Sequence, residues 1–394
     1  MKEVMNSWEN KKLGEVITLQ RGFDITKKER VEGSYDVISS SGVSYNHNEY
    51  KVKGPGVIIG RKGSLGTVHY SDSNYWPHDT TLWVKKFNGN DPLFIYYFLK
   101  TLHLEKYDVG ASNPTLNRNH VHKLQVSVPG LNTQQKIASI LSTFDDLIEN
   151  NTRRIEILEE MARLIYREWF VHYRYPGHEN DALVDSGTDL GEIPEGWEVK
   201  ELGDLFKVKS GYAFKSKNLS DDGAFGIIKI KNVTDNGLDI DSLDYHEGPI
   251  PERGQKFKLK NGDVLLTMTG YIGRVVRVPK LEGPFYANQR VGKVFTKKYR
   301  HLINYFYELL KSREYQDIMN NLAYGAAQPN ISSKNLHGIM VKKPKSGIID
   351  QFNSTVQPIY EEIDTLINKN RKFRETRDLL LPKLISGKIE IESL

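Results

Sequence analysis

The sequence contains no cysteine. Disulfides and thiolate metal sites are excluded, a secreted disulfide scaffold is excluded with them, and a reducing compartment is favoured. Long apolar runs are missing too. None approaches the roughly 18 to 20 residues that a membrane helix needs, and Met1–Leu13 lacks the apolar stretch of a signal peptide. A soluble, cytoplasmic chain with no membrane partner is expected. Catalytic signatures are equally scarce. There is no Gly-x-x-x-x-Gly-Lys-Ser/Thr loop for ATP and no Gly-x-Ser-x-Gly elbow, and the 11 histidines include no His-x-x-x-His pair. Gly54-Pro55-Gly56 lacks the third glycine of a dinucleotide fingerprint and reads as a turn. Asn113-Pro114-Thr115-Leu116 lacks the second proline and the aromatic residue of an adenine-methylating site.

What the chain does have, it has twice. Trp8, Gly14 and Gly22 recur 189 residues later as Trp197, Gly203 and Gly211, and Gly63 and Gly66 recur at an offset of 207 as Gly270 and Gly273. Gly110-Ala111-Ser112-Asn113-Pro114 aligns with Gly325-Ala326-Ala327-Gln328-Pro329 at 215, and Phe144–Ile148 with Ile363–Ile367 at 219. An offset that only grows is the mark of one unit duplicated, with small insertions in its second copy. The duplication also weakens one enzyme-like pattern. Asp189 and Glu198-Val199-Lys200 resemble the acidic pair and lysine of metal-dependent nucleases, yet the first copy has Glu9-Asn10-Lys11 without an upstream aspartate.

Positive charge is concentrated in two bodies. Residues 8–132 carry 16 Lys and Arg against 12 Asp and Glu, and residues 197–347 carry 25 against 16. The connecting segments are neutral or acidic. Either the charge is scattered by chance, or each body faces a polyanion whose counterions it releases. Each body holds short β-branched runs between turn residues, such as Val57-Ile58-Ile59 and Val264-Leu265-Leu266, with a later helical stretch, Leu93 to Leu104 and Leu302 to Met319. Mixed α/β domains are expected, each with a core of its own.

The connectors are helical. From Gln134 to Phe170 near-apolar residues alternate in steps of four and three around Asn151, and Ile359 to Leu384 do likewise around Asn370, with Arg377 an unfavourable member of the seam. Each run predicts a helix roughly 55 to 60 Å long. Asn151 and Asn370 are equivalents. Either they pair and fix helix register, or both sit on the wet edge of the seam. The divisions are a first body 1–132, a helix 133–175, a linker 176–196, a second body 197–347, and a helix with tail 348–394.

The glycine turns Gly60–Gly66 and Thr267–Arg274 would either let backbone N–H groups approach a phosphate or close a hairpin that serves only the fold. His78-Asp79-Thr80 stands where the second copy has Asn288-Gln289-Arg290, and Asn117-Arg118-Asn119-His120 where it has Ser332-Ser333-Lys334-Asn335. Shared scaffold with divergent polar groups fits two readers of different base sequences, and also fits surface drift. The candidate DNA contacts in the first body are Arg21, Lys27, Lys28, Arg61, Lys62, His78, Asp79, Thr80, Asn117, Arg118 and Asn119. Those in the second are Lys209, Lys215, Lys229, Lys231, Asn232, Arg274, Asn288, Gln289, Arg290, Lys334 and Asn335.

With these features the chain resembles the specificity subunit of type I restriction–modification enzymes over essentially its whole length. The resemblance rests on Trp197-Glu198-Val199-Lys200-Glu201-Leu202-Gly203-Asp204 with Gly211, on Gly262–Leu266 leading to Gly270 and Gly273, on Ala287-Asn288-Gln289-Arg290, on Gln328-Pro329-Asn330-Ile331, and on the helix Asp145 to Arg163. The first body departs with Pro77-His78-Asp79. The resemblance implies two target recognition domains held apart by two antiparallel coiled-coil helices with pseudo-two-fold symmetry. It also implies a non-catalytic reader of bipartite double-stranded DNA that recruits two methyltransferase subunits and, in a full complex, two restriction subunits. S-adenosylmethionine, ATP and Mg would then belong to those partners, leaving this chain with no cofactor or metal of its own. A tandem RNA- or protein-binding scaffold with no sequence reading is the alternative.

Overall fold

A computed structural model describes residues 8–107, 114–296, 302–323 and 330–389; the matched segments 110–113 and 325–329 lie outside them. Two compact units emerge, Met1–Glu149 with Arg371–Leu394, and Asn150–Asn370. Each takes part of both long helices, Leu131–Tyr166 and Ser346–Ile385. The reason is burial: Ile137, Leu141, Leu384 and Ile385 join the first unit's core, and Ala162, Tyr166, Phe352, Val356 and Tyr360 join the second's. The helices complete the cores as well as connecting them.

In the first unit Thr18–Arg21, Thr81–Lys86, Gly56–Gly60 and Val68–Ser71 form an antiparallel sheet in that order. A second sheet orders Gly42–His47, Tyr35–Ser39 and Tyr75–Pro77, the last pair parallel. The second unit repeats the pattern. Lys207–Ser210, Val291–Phe295, Val264–Thr267 and Val275–Arg277 form the antiparallel sheet, and Phe225–Ile228 pairs in parallel with Phe285–Ala287. The rise in offset from 189 to 207 falls between these strands, where the second unit adds the hairpin Val233–Thr234/Gly237–Leu238. Two glycines are dictated by close approach. A Cβ on Gly22 would stand 2.0 Å from the His78 carbonyl oxygen, and one on Gly211 2.2 Å from that of Ala287.

Both copies also share a histidine that the sequence did not single out. Leu19 N–H donates to His122 Nε2 and Val208 N–H to His337 Nε2, each at 2.9 Å. A ring nitrogen that accepts is unprotonated. Burial lowers each pKa below 6.5, with Arg118 adding to the effect at His122 and Lys207 at His337. The unfolded chain therefore takes up protons that the folded chain does not, so this stability is complete above the ordinary histidine value and is lost as pH falls through it toward the lowered one. Changing both histidines to glutamine is expected to flatten the drop in urea midpoint between about pH 7.5 and pH 5.5. An unaltered drop would show that other groups carry it.

The expected helix Leu302 to Met319 is two helices, Ile303–Lys311 and Arg313–Ala323. Ser312 between them is extended, at φ −64° and ψ 147°, and its hydroxyl donates to the Leu309 carbonyl. Gln316 Nε2 donates to the Leu310 carbonyl at 2.6 Å, supplying the hydrogen bond that the break removes. In the first unit the helix Pro92–Lys100 likewise stops short of Leu104, which opens a 3₁₀ turn.

Within each unit the helical segments run antiparallel. In the first, Phe144 packs on Phe373 with ring centroids 6.3 Å apart. Arg377, unfavourable on sequence alone, bonds through its guanidinium to Asp145, whose other oxygen accepts from Tyr97 Oη at 2.5 Å. In the second, Asn151 and Asn370 are buried and Asn151 Nδ2 donates to Asn370 Oδ1 at 2.8 Å. Gly387 closes the last helix at φ 69°, with Lys388 N–H donating back to the Lys383 carbonyl at 2.9 Å.

Candidate nucleic-acid interface

In both units the glycine turn follows the same hydrogen bonds. Gly66 N–H donates to the Gly60 carbonyl at 2.9 Å and Leu65 N–H to that of Gly63 at 2.9 Å; Gly273 N–H donates to Thr267 at 3.2 Å and Ile272 N–H to Gly270 at 3.0 Å. Gly63, Gly66, Gly270 and Gly273 all have φ between 75° and 82°, where a side chain is strained. These N–H groups close the turn itself, so of the two readings of the turn the hairpin accounts for them. The turn nevertheless sets a surface, because it ends the strand beside the divergent segment. Arg61 and Lys62 N–H donate to the Thr80 carbonyl at 2.9 and 3.1 Å, and Met268 N–H to that of Arg290 at 3.4 Å. Thr115 and Asn330 join the same end, through bridges Lys62 to Thr115 and Thr269 to Asn330.

This sheet end gathers Arg21, Arg61, Lys62, His78, Asp79 and Thr80 in the first unit. Arg21 Nη2 lies 2.9 Å from Asp79 Oδ2, and His78 Nδ1 3.1 Å from Asp79 Oδ1. Arg61 Nη1 is buried and has no acceptor among the described residues. Burial, with the Arg21 charge beside it, lowers the Arg61 pKa against the pull of Asp79. Asp24, His78 and Asp79 bring ligand atoms within 4.8 Å of one another, a spacing a cation would also accept, but the Arg21 guanidinium already holds Asp79. Asn117 caps the helix Arg118–Val121 by accepting from Asn119 N–H, leaving Arg118 and Asn119 exposed.

In the second unit the same end presents Asn288, half-buried, with Gln289 and Arg290 exposed. Arg274 makes a two-pronged pair with Asp235 at 2.9 and 2.6 Å. Ser332 caps the helix Ser333–His337, on which Lys334 and Asn335 are exposed.

Other candidates are placed differently. Asn232 has 0% of its surface exposed: its side-chain oxygen accepts from Lys229 N–H at 2.9 Å and its amide donates to the Ser242 carbonyl at 3.1 Å, so it is a structural amide and not a DNA contact. Lys229 and Lys231 both lie 3.0 Å from Asp244, and Lys209 extends toward the Phe295 ring, 5.7 Å from its centroid. Lys27, Lys28 and Lys215 are exposed in turns. Glu198 of the nuclease-like pattern is paired with Lys200 at 3.2 Å and Lys343 at 3.4 Å, which hold its pKa down. Sequence reasoning missed the acidic partners Asp235 and Asp244, whose signal lies only in three-dimensional proximity.

The pattern of the family described as "Type I restriction modification DNA specificity domain" matches residues 5–160 and again 194–373, once per copy. The chain is similar to the MjaIX specificity subunit of Methanocaldococcus jannaschii, 28% identical over 310 residues covering 76% of this chain and 70% of that one. It is also similar to that organism's MjaVIII specificity subunit, 24% identical with 99% and 95% covered. A crystal structure of a type I restriction–modification S subunit from M. genitalium shares the fold, with a TM-score of 0.60 at 19% identity and 98% and 97% of the two chains covered. None of these relatives supports the scaffold without sequence reading.

Proposed function

The chain belongs to the type I restriction–modification DNA specificity family, and from that premise we propose that it reads a bipartite target, one half with each sheet end described above. The observation that carries this is one backbone frame bearing two polar sets, Arg21, His78, Asp79 and Thr80 on one copy and Asn288, Gln289 and Arg290 on the other. Arg and Asn or Gln match the acceptor and donor pairs of guanine and adenine edges. Arg61 is half-buried, and its Nη1, without an acceptor among the described residues, suits a phosphate oxygen.

The chain contributes no catalysis in this reading. Two methyltransferase subunits and, in a full complex, two restriction subunits would bring S-adenosylmethionine, ATP and Mg. An exposed apolar stripe on the first long helix, Ile157, Met161 and Leu164, favours such recruitment, since its helical spacing presents one face. Mapping methylated adenines in cells carrying this chain with its methyltransferase tests the reading. Two specified halves around an unspecified gap are expected, and a contiguous motif would overturn it. Arg290→Ala is expected to cost about 1 to 3 kcal/mol on the mapped site and to relax one position of one half only. Equal weakening on every duplex would make Arg290 a phosphate contact. Exchanging residues 78–80 is expected to change the other half alone.

A further inference from the structure

Tyr271 stands at the tip of the second unit's glycine turn with 67% of its surface exposed, more than any other large apolar side chain among the described residues. A single exposed ring is ordinary on a protein surface; what sets this one apart is where it stands and how it is held. The ring is also braced. The Arg274 guanidinium lies 4.2 Å from its centroid, and Asp235 holds that guanidinium through Nε and Nη2 with the two bonds already described. The backbone is held as well: Thr267 Oγ1 bonds to the Tyr271 carbonyl, Gly273 N–H to the Thr267 carbonyl and Ile272 N–H to that of Gly270. The tip shares its sheet end with Gln289 and Arg290, because Thr267 is in register with Val291. The first unit, at the same place in the same turn, has Ser64.

We propose that Tyr271 is a specificity-determining stacking residue, whose ring enters the second half-site and lies against a base at a step it opens. This deepens the functional reading above and rests on it. A braced aromatic ring loses little conformational entropy on contact, stacks on any base face, and selects steps that unstack easily. Arg274 then serves Tyr271 as a positioning residue, its charge shared with Asp235 in place of a direct base contact.

The experiment uses the full chain in complex with its methyltransferase and duplexes carrying the mapped target, with 2-aminopurine at successive positions. Apart from the methylated adenine of each half, which the methyltransferase itself extrudes, wild type is expected to raise 2-aminopurine fluorescence at one step of the second half and at no step of the first. Tyr271→Ser, which installs the first copy's own residue in an equivalent turn, is expected to abolish that signal and lower affinity roughly 10- to 100-fold, while Tyr271→Phe and Tyr271→Trp retain both. Asp235→Ala is expected to reduce the signal with Tyr271 still present. Unchanged affinity and fluorescence in Tyr271→Ser, with the target still preferred over random duplex, would overturn the proposal and leave the functional reading standing. Loss of preference for the mapped target in wild type would overturn that reading, and the proposal with it.

Discussion

Replacing Arg277 by methionine is expected to destabilise the unit Asn150–Asn370 by about 3 to 5 kcal/mol, the range for leaving one member of a buried pair behind. Arg277 Nη1 lies 3.1 Å from each oxygen of Asp364, and both side chains are only 8% exposed. Asp364 has one other neutral donor, Asn261 Nδ2 at 3.0 Å, and the guanidinium also lies 4.9 Å from the Tyr360 ring centroid. Without Arg277 the carboxylate keeps a single hydrogen bond in a setting that disfavours its charge. A cleft of about 970 Å³ opens beside the pair and admits water, which puts the expected loss toward the lower end of the range. Arg277→Met with Asp364→Leu removes both charges, and most of the loss is expected to be recovered. Urea unfolding followed by Trp169 and Trp197, both in this unit, measures each variant. A double variant as unstable as Arg277→Met alone would show that packing, and not the stranded charge, carries the effect.

That pair also marks how far the sequence could be read. Asp145 and Asp364 are equivalents at the offset of 219, and each is held by an arginine, but Arg377 comes from the second long helix and Arg277 from a strand of the sheet. Repeat alignment places the acids and says nothing of the bases, since Tyr70 stands at the position equivalent to Arg277. The duplication itself was legible because its glycines answer to backbone geometry that tolerates no side chain, as at Gly22 and Gly211. The helical seams were legible through their period. The parallel pairing of Tyr35–Ser39 with Tyr75–Pro77 was not, because no local pattern specifies a partner some forty residues on. Nor was the break at Ser312, which a side chain from the following helix makes affordable.

At the two sheet ends the polar turns were found and some of their neighbours were not. Choosing residues by charge admits any lysine, whereas proximity decides what each can do: Asp244 takes up Lys229 and Lys231, and Asp235 takes up Arg274. Asn232 fails for a related reason. An amide in a turn serves the backbone as readily as a base edge, and only burial tells the two apart.

Changing Asn151 to leucine is expected to cost the same unit about 2 to 3 kcal/mol, and changing Asn370 as well is expected to cost much less than the sum of the two single changes. Asn151 is 7% exposed and Asn370 3%. The first donates to the second at 2.8 Å, and Asn370 Nδ2 reaches Thr152 Oγ1 at 3.3 Å. Leucine at 151 takes this donor from Asn370 Oδ1 and leucine at 370 takes this acceptor from Asn151 Nδ2, while two leucines meet as apolar neighbours in a seam that already favours them. The coupling energy from this cycle measures the pair directly, and a value of zero would mean that the contact contributes no net stability. Stability is only one consequence. Two leucines no longer distinguish one register of the helices from its neighbours, because the requirement to match amide with amide is gone. The double variant is therefore expected to unfold at about the wild-type urea midpoint yet, with its methyltransferase, to direct methylation to sites whose gap varies in length. An unchanged gap would assign register to the apolar seam alone.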